Sequence, residues 1–262
     1  MKAARIIEPD KPLELNQIEI SDPIGTQVLI KVISTGVCHS DLHLWEGGYD
    51  TGDGFMKVTD RGVKFPVTPG HEVVGNIEKI GESVKDVKIG DTVLVYPWIG
   101  CGNCPTCQKG DTNLCETPKS LGIFQDGGYA EKVIVPDYKF LANIGNVNPD
   151  SASSLACSGL TAYTAIKKAL VNNPESILIV GAGGLGLMGV QIASHLTKCN
   201  IICADLDDNK LNTAKELGAT HVVNTKESDA VQKIMSICNE KGIDSIVDFV
   251  NAPPTVKLDL SV

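Results

Sequence analysis

The chain has 262 residues, of which 42% are hydrophobic, a mean hydropathy of +0.04 and a formal net charge of −9. This composition is that of a folded protein with one large domain or two moderate ones, and we favour two. The chain has no Lys/Arg cluster of the kind that contacts phosphate backbones, which argues against nucleic acid or an anionic membrane as a partner. We expect a small-molecule partner.

The cysteine content bears on the cellular compartment. No apolar run is long enough to span a bilayer, and the first residues lack the basic and apolar regions of a leader, so we expect a cytoplasmic protein. Thiols stay reduced there. The nine cysteines therefore indicate metal binding or catalysis rather than disulfides.

Short β-rich segments fill the chain up to about residue 150. Residues 27–34, 75–81, 91–97 and 130–136 are rich in Val and Ile and are separated by Gly, Pro and Asp turn signals. This spacing predicts a mostly-β domain over residues 1–150.

From residue 151 the pattern changes to short apolar strands that alternate with helices. It predicts a βαβ series with a parallel sheet over residues 151–262. The sequence of residues 153–169 predicts a further helix, which connects the two halves of the chain. In the helix after the first strand, four residues recur at helical spacing and are expected to form its buried face: Leu185, Met188, Ile192 and Leu196.

A GxGxxG pattern, Gly181, Gly183 and Gly186, follows that first strand and opens the helix. This order suits a tight turn that brings backbone N–H groups and a helix N-terminus to a pyrophosphate. Asp205 ends the next predicted strand, where its carboxylate can accept both hydroxyls of the adenosine ribose. No Arg follows it, which favours NAD over NADP, and Lys210 is placed to reach the ribose. The alternative is a glycine turn beside a solvated acidic loop.

Four cysteines lie close together at the spacing CxxCxxCx7C: Cys101, Cys104, Cys107 and Cys115. A thioredoxin-like CxxC pair belongs at a helix start in a βαβ unit, whereas this segment lies in the β-rich half. Four thiolates complete the tetrahedral coordination of Zn²⁺ and leave no position for a substrate. We therefore predict a structural zinc site, with unmetallated thiols as the alternative.

Three other segments, residues 36–43, 68–75 and 155–159, are candidates for the catalytic site. Each alone is a weak signal, since a lone Cys is usually a small hydrophobe and a lone His a hydrogen-bonded core residue. In a chain that also contains a dinucleotide-binding loop, the three segments together are a stronger signal of a catalytic site.

Taken in order, these motifs resemble the zinc-dependent medium-chain alcohol dehydrogenases: GVCHSDLH, PGHEVVG, the four-cysteine segment, GDTV, GGYAEKVIVP, CSGLTAY and VGAGGLG. The resemblance covers essentially the whole chain, and over residues 38–50 and 62–72 it is to the archaeal NAD-dependent alcohol dehydrogenases. It implies a GroES-like β-barrel-type catalytic domain followed by a Rossmann doubly wound parallel sheet. It also implies two zinc ions per chain, one catalytic and one structural, NAD as cofactor, and a homo-oligomer, dimer or tetramer, at full length.

By this resemblance, Cys38, His71 and Cys157 are the catalytic zinc ligands, with the fourth position open to water or substrate. Glu72 would approach the zinc and help ligand exchange, or would form an ordinary salt bridge. Asp41 would orient the imidazole of His71.

The resemblance assigns further roles to single residues. Ser40 and His43 match the proton relay, and His39 matches a basic residue near the pyrophosphate. Thr161 matches a residue that contacts the nicotinamide, and Trp98 an aromatic wall of the substrate pocket. The implied reaction oxidises a primary or secondary alcohol to an aldehyde or ketone by hydride transfer to NAD⁺.

The chain departs from the family after its fourth predicted strand, since the family sheet has six strands. We expect a fragment of a longer gene product, or a truncated protein of doubtful activity. Two alternatives to the main hypothesis remain: a polyol or threonine dehydrogenase of the same superfamily, and a non-catalytic remnant that binds zinc and nucleotide.

Overall fold

The computed structural model describes residues 1–262 and divides into two compact units, Met1–Cys157 and Ser158–Val262. Each unit contains its own buried hydrophobic clusters. No helix in either unit combines the length and the apolar character needed to cross a membrane.

The first unit is mostly β-structure. Its strands are β1 (Lys2–Arg5), β2 (Glu14–Gln17), β3 (Val28–Gly36), β4 (Gly48–Asp50), β5 (Phe55–Lys57), β6 (Glu72–Ile80), β7 (Thr92–Val95), β8 (Lys132–Val135) and β9 (Leu141–Asn143). Five of them form an antiparallel sheet in the order β8-β3-β6-β7-β9, and β1-β2 and β4-β5 form two separate antiparallel pairs. Alternate residues of the main sheet, such as Val28 and Ile30, point into one core, as a period of two residues requires.

Short helical segments connect these strands. The α-helices are α1 (His39–Glu46), α2 (Pro105–Gln108) and α3 (Pro149–Ala152), and 3₁₀ turns occupy Val58–Arg61, Thr112–Leu114, Tyr138–Phe140 and Ser153–Ala156. Helix α1 begins immediately after Cys38 and ends at Glu46, where it is capped by Gly47, whose φ of 81° is readily adopted only by glycine.

The second unit is an α/β structure whose strands all run parallel. Its elements are α4 (Ser158–Ala169), β10 (Ser176–Val180), α5 (Gly184–Leu196), β11 (Asn200–Asp205), α6 (Asp208–Glu216), β12 (His221–Asn224), α7 (Ala230–Ile237), β13 (Ser245–Asp248) and α8 (Pro253–Asp259). The strand order is β12-β11-β10-β13. Ile177 and Ile179 pack in one cluster and Leu178 and Val180 in another, so β10 is buried on both faces.

The buried face of α5 differs from the prediction. Leu185, Met188 and Ile192 are only half-buried and Leu196 is 49% exposed, whereas the buried positions are Gly186, Gly189, Val190 and Ala193. The reason is that α5 lies very close to the glycine loop. A Cβ on Gly186 would overlap the carbonyl oxygen of Gly181, so small residues rather than large ones must face the glycine loop and the sheet.

The helix predicted over residues 153–169 is interrupted. The 3₁₀ turn Ser153–Ala156 ends at Cys157, which has φ −127° and ψ −75°, and α4 starts at the next residue. The interruption matters because Cys157 is one of the predicted zinc ligands.

Candidate active site

The pairing of β3 with β6 brings two predicted zinc ligands together. The strands are antiparallel, and Gly36 at the end of β3 pairs with Glu72 at the start of β6. Cys38 follows β3 and His71 precedes β6, so the register places both at the same end of the sheet.

Cys157 completes the cluster from the interruption between the 3₁₀ turn and α4. Its Sγ lies 3.8 Å from Sγ of Cys38. With a ring nitrogen of His71, the three ligand atoms all lie within 4.8 Å of one another. His71 and Cys157 are buried, and Cys38 is partly exposed.

This donor set fits a zinc ion. Two sulfur ligands at a Zn–S distance of about 2.3 Å and a tetrahedral angle lie roughly 3.8 Å apart, and Cys38 and Cys157 show that separation. Both ring nitrogens of His71 are buried without completing a hydrogen bond. Buried polar atoms normally have partners, and a metal ion supplies one. Three protein ligands leave the open position that catalytic zinc sites have.

Asp41 connects the two ligand-bearing segments. Its Oδ2 accepts hydrogen bonds from the backbone N–H of Cys38 (2.9 Å) and the hydroxyl of Tyr129 (3.2 Å), and its Oδ1 accepts one from the backbone N–H of Gly70 (3.1 Å). Oδ1 also lies 3.4 Å from Nδ1 of His71. The carboxylate is therefore placed to orient the imidazole and leave Nε2 for a metal.

Electrostatic interactions within the cluster favour a thiolate at Cys38. The thiol of Cys157 donates to its sulfur and lowers the pKa of Cys38 to about 4, against the effect of burial. The same contact and burial raise the pKa of Cys157. Burial disfavours the His71 cation, but Asp41 and Cys38 outweigh it and raise the pKa of His71 to about 9. Without a metal, the His71 cation therefore balances the negative charges of Cys38 and Asp41, and a metal ion bound by His71 would replace that proton.

Glu72 lies buried next to this cluster and is only 3% exposed. A Cβ on Gly36 would come within 1.9 Å of its Oε2, so glycine on β3 makes the room that this carboxylate occupies. The charge of Glu72 also contributes, after Cys38 and burial, to the raised pKa of Cys157.

A cavity of about 230 Å³ in the first unit adjoins the cluster. Ser40 and Trp98 line it, and the Trp98 ring centre is 5.5 Å from that of His71. Apolar side chains such as Leu44 and Phe124 form much of the wall. A substrate in this cavity would lie beside the metal ligands.

The two predicted relay residues lie on α1 but are not bonded to each other. Nδ1 of His43 is 3.3 Å from a carboxylate oxygen of Glu46, and its ring centre is 4.6 Å from that of His39 and 4.7 Å from that of Tyr49. Ser40 has no hydrogen bond to His43, so a proton passing between them needs a bridging group.

The four-cysteine segment forms a compact second cluster. The Sγ atoms of Cys101 and Cys107 are 4.0 Å apart, and those of Cys104 and Cys115 are 3.8 Å apart. The backbone N–H groups of Cys104, Cys107 and Cys101 donate to the sulfurs of Cys101, Cys104 and Cys115 at 3.3 to 3.4 Å. Such donors stabilise thiolates, and four thiolates at this spacing form a closed zinc site. Cys115 also lines the cavity, so this cluster supports its wall.

The glycine loop adopts the conformation that its residue types require. Gly181 has φ +90°, and a Cβ on Gly186 would come within 1.7 Å of the Gly181 carbonyl oxygen. Asp205 accepts hydrogen bonds from the backbone N–H groups of Ala182 (2.7 Å) and Asp207 (2.9 Å). The carboxylate therefore lies against the loop and opposite the start of α5.

Two other predicted cofactor residues lie on exposed helix positions of the second unit. Lys210 is on α6 with a side chain that makes no ion pair, and Thr161 is on α4. The structure does not gather either of them into a cluster.

Comparisons with known proteins identify the family. The alcohol dehydrogenase GroES-like domain matches residues 25–145, and the zinc-binding dehydrogenase domain matches residues 184–262. An NAD-dependent alcohol dehydrogenase of Saccharolobus solfataricus is 43% identical over 98% of this chain and 74% of its own length. The chain belongs to the zinc-dependent medium-chain alcohol dehydrogenases.

Two further relatives show the breadth of this alcohol dehydrogenase family. An L-threonine 3-dehydrogenase of Pyrococcus furiosus is 30% identical over 99% of this chain and 72% of its own length. The crystal structure of an alcohol dehydrogenase from Aeropyrum pernix has a TM-score of 0.86 at 33% identity and covers 100% of this chain and 75% of that one. The predicted family, fold class and enzyme class are confirmed.

Three residues of this alcohol dehydrogenase were missed by the sequence reasoning. Tyr129 donates to Asp41, Gly36 makes room for Glu72, and Arg61 lines the cavity. Tyr129 lies within the GGYAEKVIVP motif, and Arg61 is one of only two arginines in the chain. The sequence shows the motif around Tyr129 and the scarcity of arginine, but neither feature indicates what Tyr129 or Arg61 contacts.

Proposed function

We propose that this alcohol dehydrogenase oxidises a primary or secondary alcohol to an aldehyde or ketone with zinc and NAD as cofactors, and catalyses the reverse reduction. One observation carries the proposal. The ligand atoms of Cys38, His71 and Cys157 lie together beside a cavity lined by Ser40 and Trp98. A closed site of four ligands could only support the fold, whereas three ligands next to a cavity give a substrate access to the metal.

The two clusters would hold different zinc ions. Cys38, His71 and Cys157 would bind the catalytic ion, and the structural ion would be bound by Cys101, Cys104, Cys107 and Cys115. When bound, the catalytic zinc would supply Lewis-acid chemistry, which lowers the pKa of a bound hydroxyl far below its value in water. Asp41 would hold the His71 ring in the orientation that binding requires. Glu72 would help ligand exchange from its position against Gly36.

Proton release would use the side chains of α1. Ser40 lines the cavity, so its Oγ is placed to accept the alcohol proton. His43 lies nearly one helical turn further on, partly exposed and next to Glu46, and would pass the proton to solvent. A bridging hydroxyl has to join Ser40 to His43.

The second unit would bind the cofactor. Gly181, Gly183 and Gly186 would let the backbone approach the pyrophosphate, and Asp205 would accept the ribose hydroxyls. Asp207 lies nearby and no Arg follows, so a 2′-phosphate would be repelled, which favours NAD. We assign supporting contacts with the cofactor to Lys210, Thr161 and His39.

The wider organisation is part of the same proposal. Residues 1–150 would form the catalytic domain and residues 151–262 the cofactor-binding domain. All nine cysteines are free thiols, which supports a reducing, cytoplasmic location. By the family resemblance, the full-length protein would be a homo-oligomer, a dimer or tetramer.

A threonine dehydrogenase is the second candidate, because one relative at 30% identity has that name. Among the side chains that line the cavity there is no carboxylate. The ammonium group of an amino acid would find no ionic partner there, which favours an alcohol without an amino group.

The test combines metal content with turnover. We expect the zinc-loaded chain to contain two zinc ions and to reduce NAD⁺ with simple alcohols faster than with L-threonine or polyols. Cys38→Ser should bind one zinc and lose turnover. Cys199→Ser, which alters a half-buried cysteine outside both clusters, should retain both. Two bound zinc ions with no NADH formed from any alcohol would contradict the proposal.

A further inference from the structure

The cavity beside the ligand cluster contains polar side chains that the proposed chemistry does not use. Arg61, Asn113 and Ser120 line it among mainly apolar residues. None of their side chains forms a hydrogen bond or an ion pair within the protein. Unpaired donors in the wall of a cavity are free to bind a ligand.

Arg61 is the cationic member of this group. The chain has two arginines. Arg5 is paired, since its guanidinium bonds to Asp126 and to the carbonyl oxygen of Pro66. Arg61 ends the 3₁₀ turn Val58–Arg61, makes no ion pair and lines the cavity. Its five donors lie in a plane that matches the two oxygens of a carboxylate.

Ser120 provides a second, independent indication of a polar ligand. It is only 5% exposed, and its hydroxyl has no partner in the protein although the residue lines the cavity. Because the hydroxyl has no protein partner, it is free to pair with a ligand oxygen in the cavity.

The charges around the cavity select the kind of group. The lining contains a guanidinium and no carboxylate, so it favours an anionic group over an ammonium group. The protein as a whole carries a net charge of −9 and repels anions at long range. An anionic substrate therefore needs a specific cation, and Arg61 supplies one.

We propose that Arg61 binds the carboxylate of the substrate, with Ser120 and Asn113 as additional donors. The substrate is then a short hydroxy acid, or the matching oxo acid in the reverse direction. This inference rests on the proposed function and specifies its substrate class. The alcohol carbon loses a hydride to NAD⁺, the hydroxyl loses a proton, and the carboxylate stays unchanged.

The experiment compares matched substrates. Terminal hydroxy acids from propanoate to hexanoate are assayed against straight-chain alcohols of the same length, and the ratio of the two kcat/KM values is measured. In Arg61→Gln this ratio should fall about tenfold, mainly through KM of the hydroxy acid, because a charge-assisted contact is lost. Arg61→Lys should recover part of it.

Lys64→Gln is the matched control. It removes the same charge from an exposed residue close in sequence that does not line the cavity. Its ratio should stay within about twofold of the wild-type ratio, the usual size of a screened surface effect. An unchanged ratio in Arg61→Gln, or an equal fall in Lys64→Gln, would overturn the inference.

A binding measurement separates this inference from the proposed function. Calorimetric titration with butanoate, and with butanamide as the neutral control, requires no turnover. If no alcohol is oxidised but butanoate binds the wild type about tenfold more tightly than Arg61→Gln, the proposed function fails and the Arg61 site stands. If alcohols are oxidised and butanoate binds both proteins equally, the Arg61 site fails alone.

Discussion

Replacing Tyr129 by Phe tests whether the hydrogen bonds around Asp41 support zinc binding at His71. The Tyr129 hydroxyl donates to Oδ2 of Asp41 at 3.2 Å, and Asp41 in turn lies 3.4 Å from Nδ1 of His71. Burial and the Asp41 charge raise the pKa of Tyr129, so the hydroxyl stays protonated and remains a donor. The substitution removes that donor and keeps the ring.

The size of the effect follows from the geometry. A hydrogen bond to a charged group contributes about 1.5 to 3 kcal/mol, and this one is longer than the usual 2.7 to 2.8 Å or so. Two backbone N–H groups still bond to Asp41 in the variant. We therefore expect an effect just below this range, about 1.4 kcal/mol, which corresponds to a roughly tenfold weaker zinc affinity at the catalytic site.

The assay is chelator competition on the zinc-loaded protein, followed by thermal unfolding of the metal-free protein. The ring of Tyr129 packs against Gly70, where a Cβ would come within 2.4 Å of it, and Phe keeps that packing. Unfolding of the metal-free variant should therefore change little. Tyr138→Phe is the control, because Tyr138 packs against the core of the main sheet but its hydroxyl has no hydrogen-bond partner.

Tyr138→Phe should retain the wild-type zinc affinity within about twofold, and the same result for Tyr129→Phe would refute a role of its hydroxyl in zinc binding. A double-mutant cycle with Asp41→Asn sharpens the test. If Tyr129 acts through Asp41, its substitution should have little further effect once Asp41 is replaced. Fully additive effects would mean that the hydroxyl acts by another route.

The remaining predictions concern the second zinc site and the glycine loop. Cys104→Ala should lose one zinc ion by zinc analysis and should lower the unfolding temperature measured by calorimetry. Cys38→Ala should lose turnover while the protein stays folded. The reverse pattern would mean that the two sites are exchanged. Gly186→Ala should cost about 2 kcal/mol or more in unfolding free energy and abolish NADH binding, because its Cβ would overlap the Gly181 carbonyl oxygen. Gly184→Ala meets no atom within 4 Å and should bind NADH within about threefold of wild type by fluorescence titration; equal losses in both variants would refute the steric argument.

Patterns within short segments of the sequence predicted much of the fold and of the binding sites. The four cysteines and the glycine loop each lie within one short segment, so their spacing reports their geometry before any folding is considered. The alternation of strands and helices after residue 150 likewise predicts a parallel sheet, and four parallel strands form it. The face of α5 was predicted wrongly because helical spacing marks large residues, while close packing on the loop at Gly186 requires small ones.

The catalytic cluster depends on contacts between distant segments. Residues alone mark Cys38, His71 and Cys157 as candidates, and the family resemblance groups them, but the register of β3 against β6 and the interruption at Cys157 bring their ligand atoms together. Tyr129 and Arg61 show the same limit, since no local signal links Tyr129 to Asp41 or Arg61 to the cavity. Spacing along the chain determines chemistry within one segment, whereas tertiary packing decides which side chains from different segments share a site.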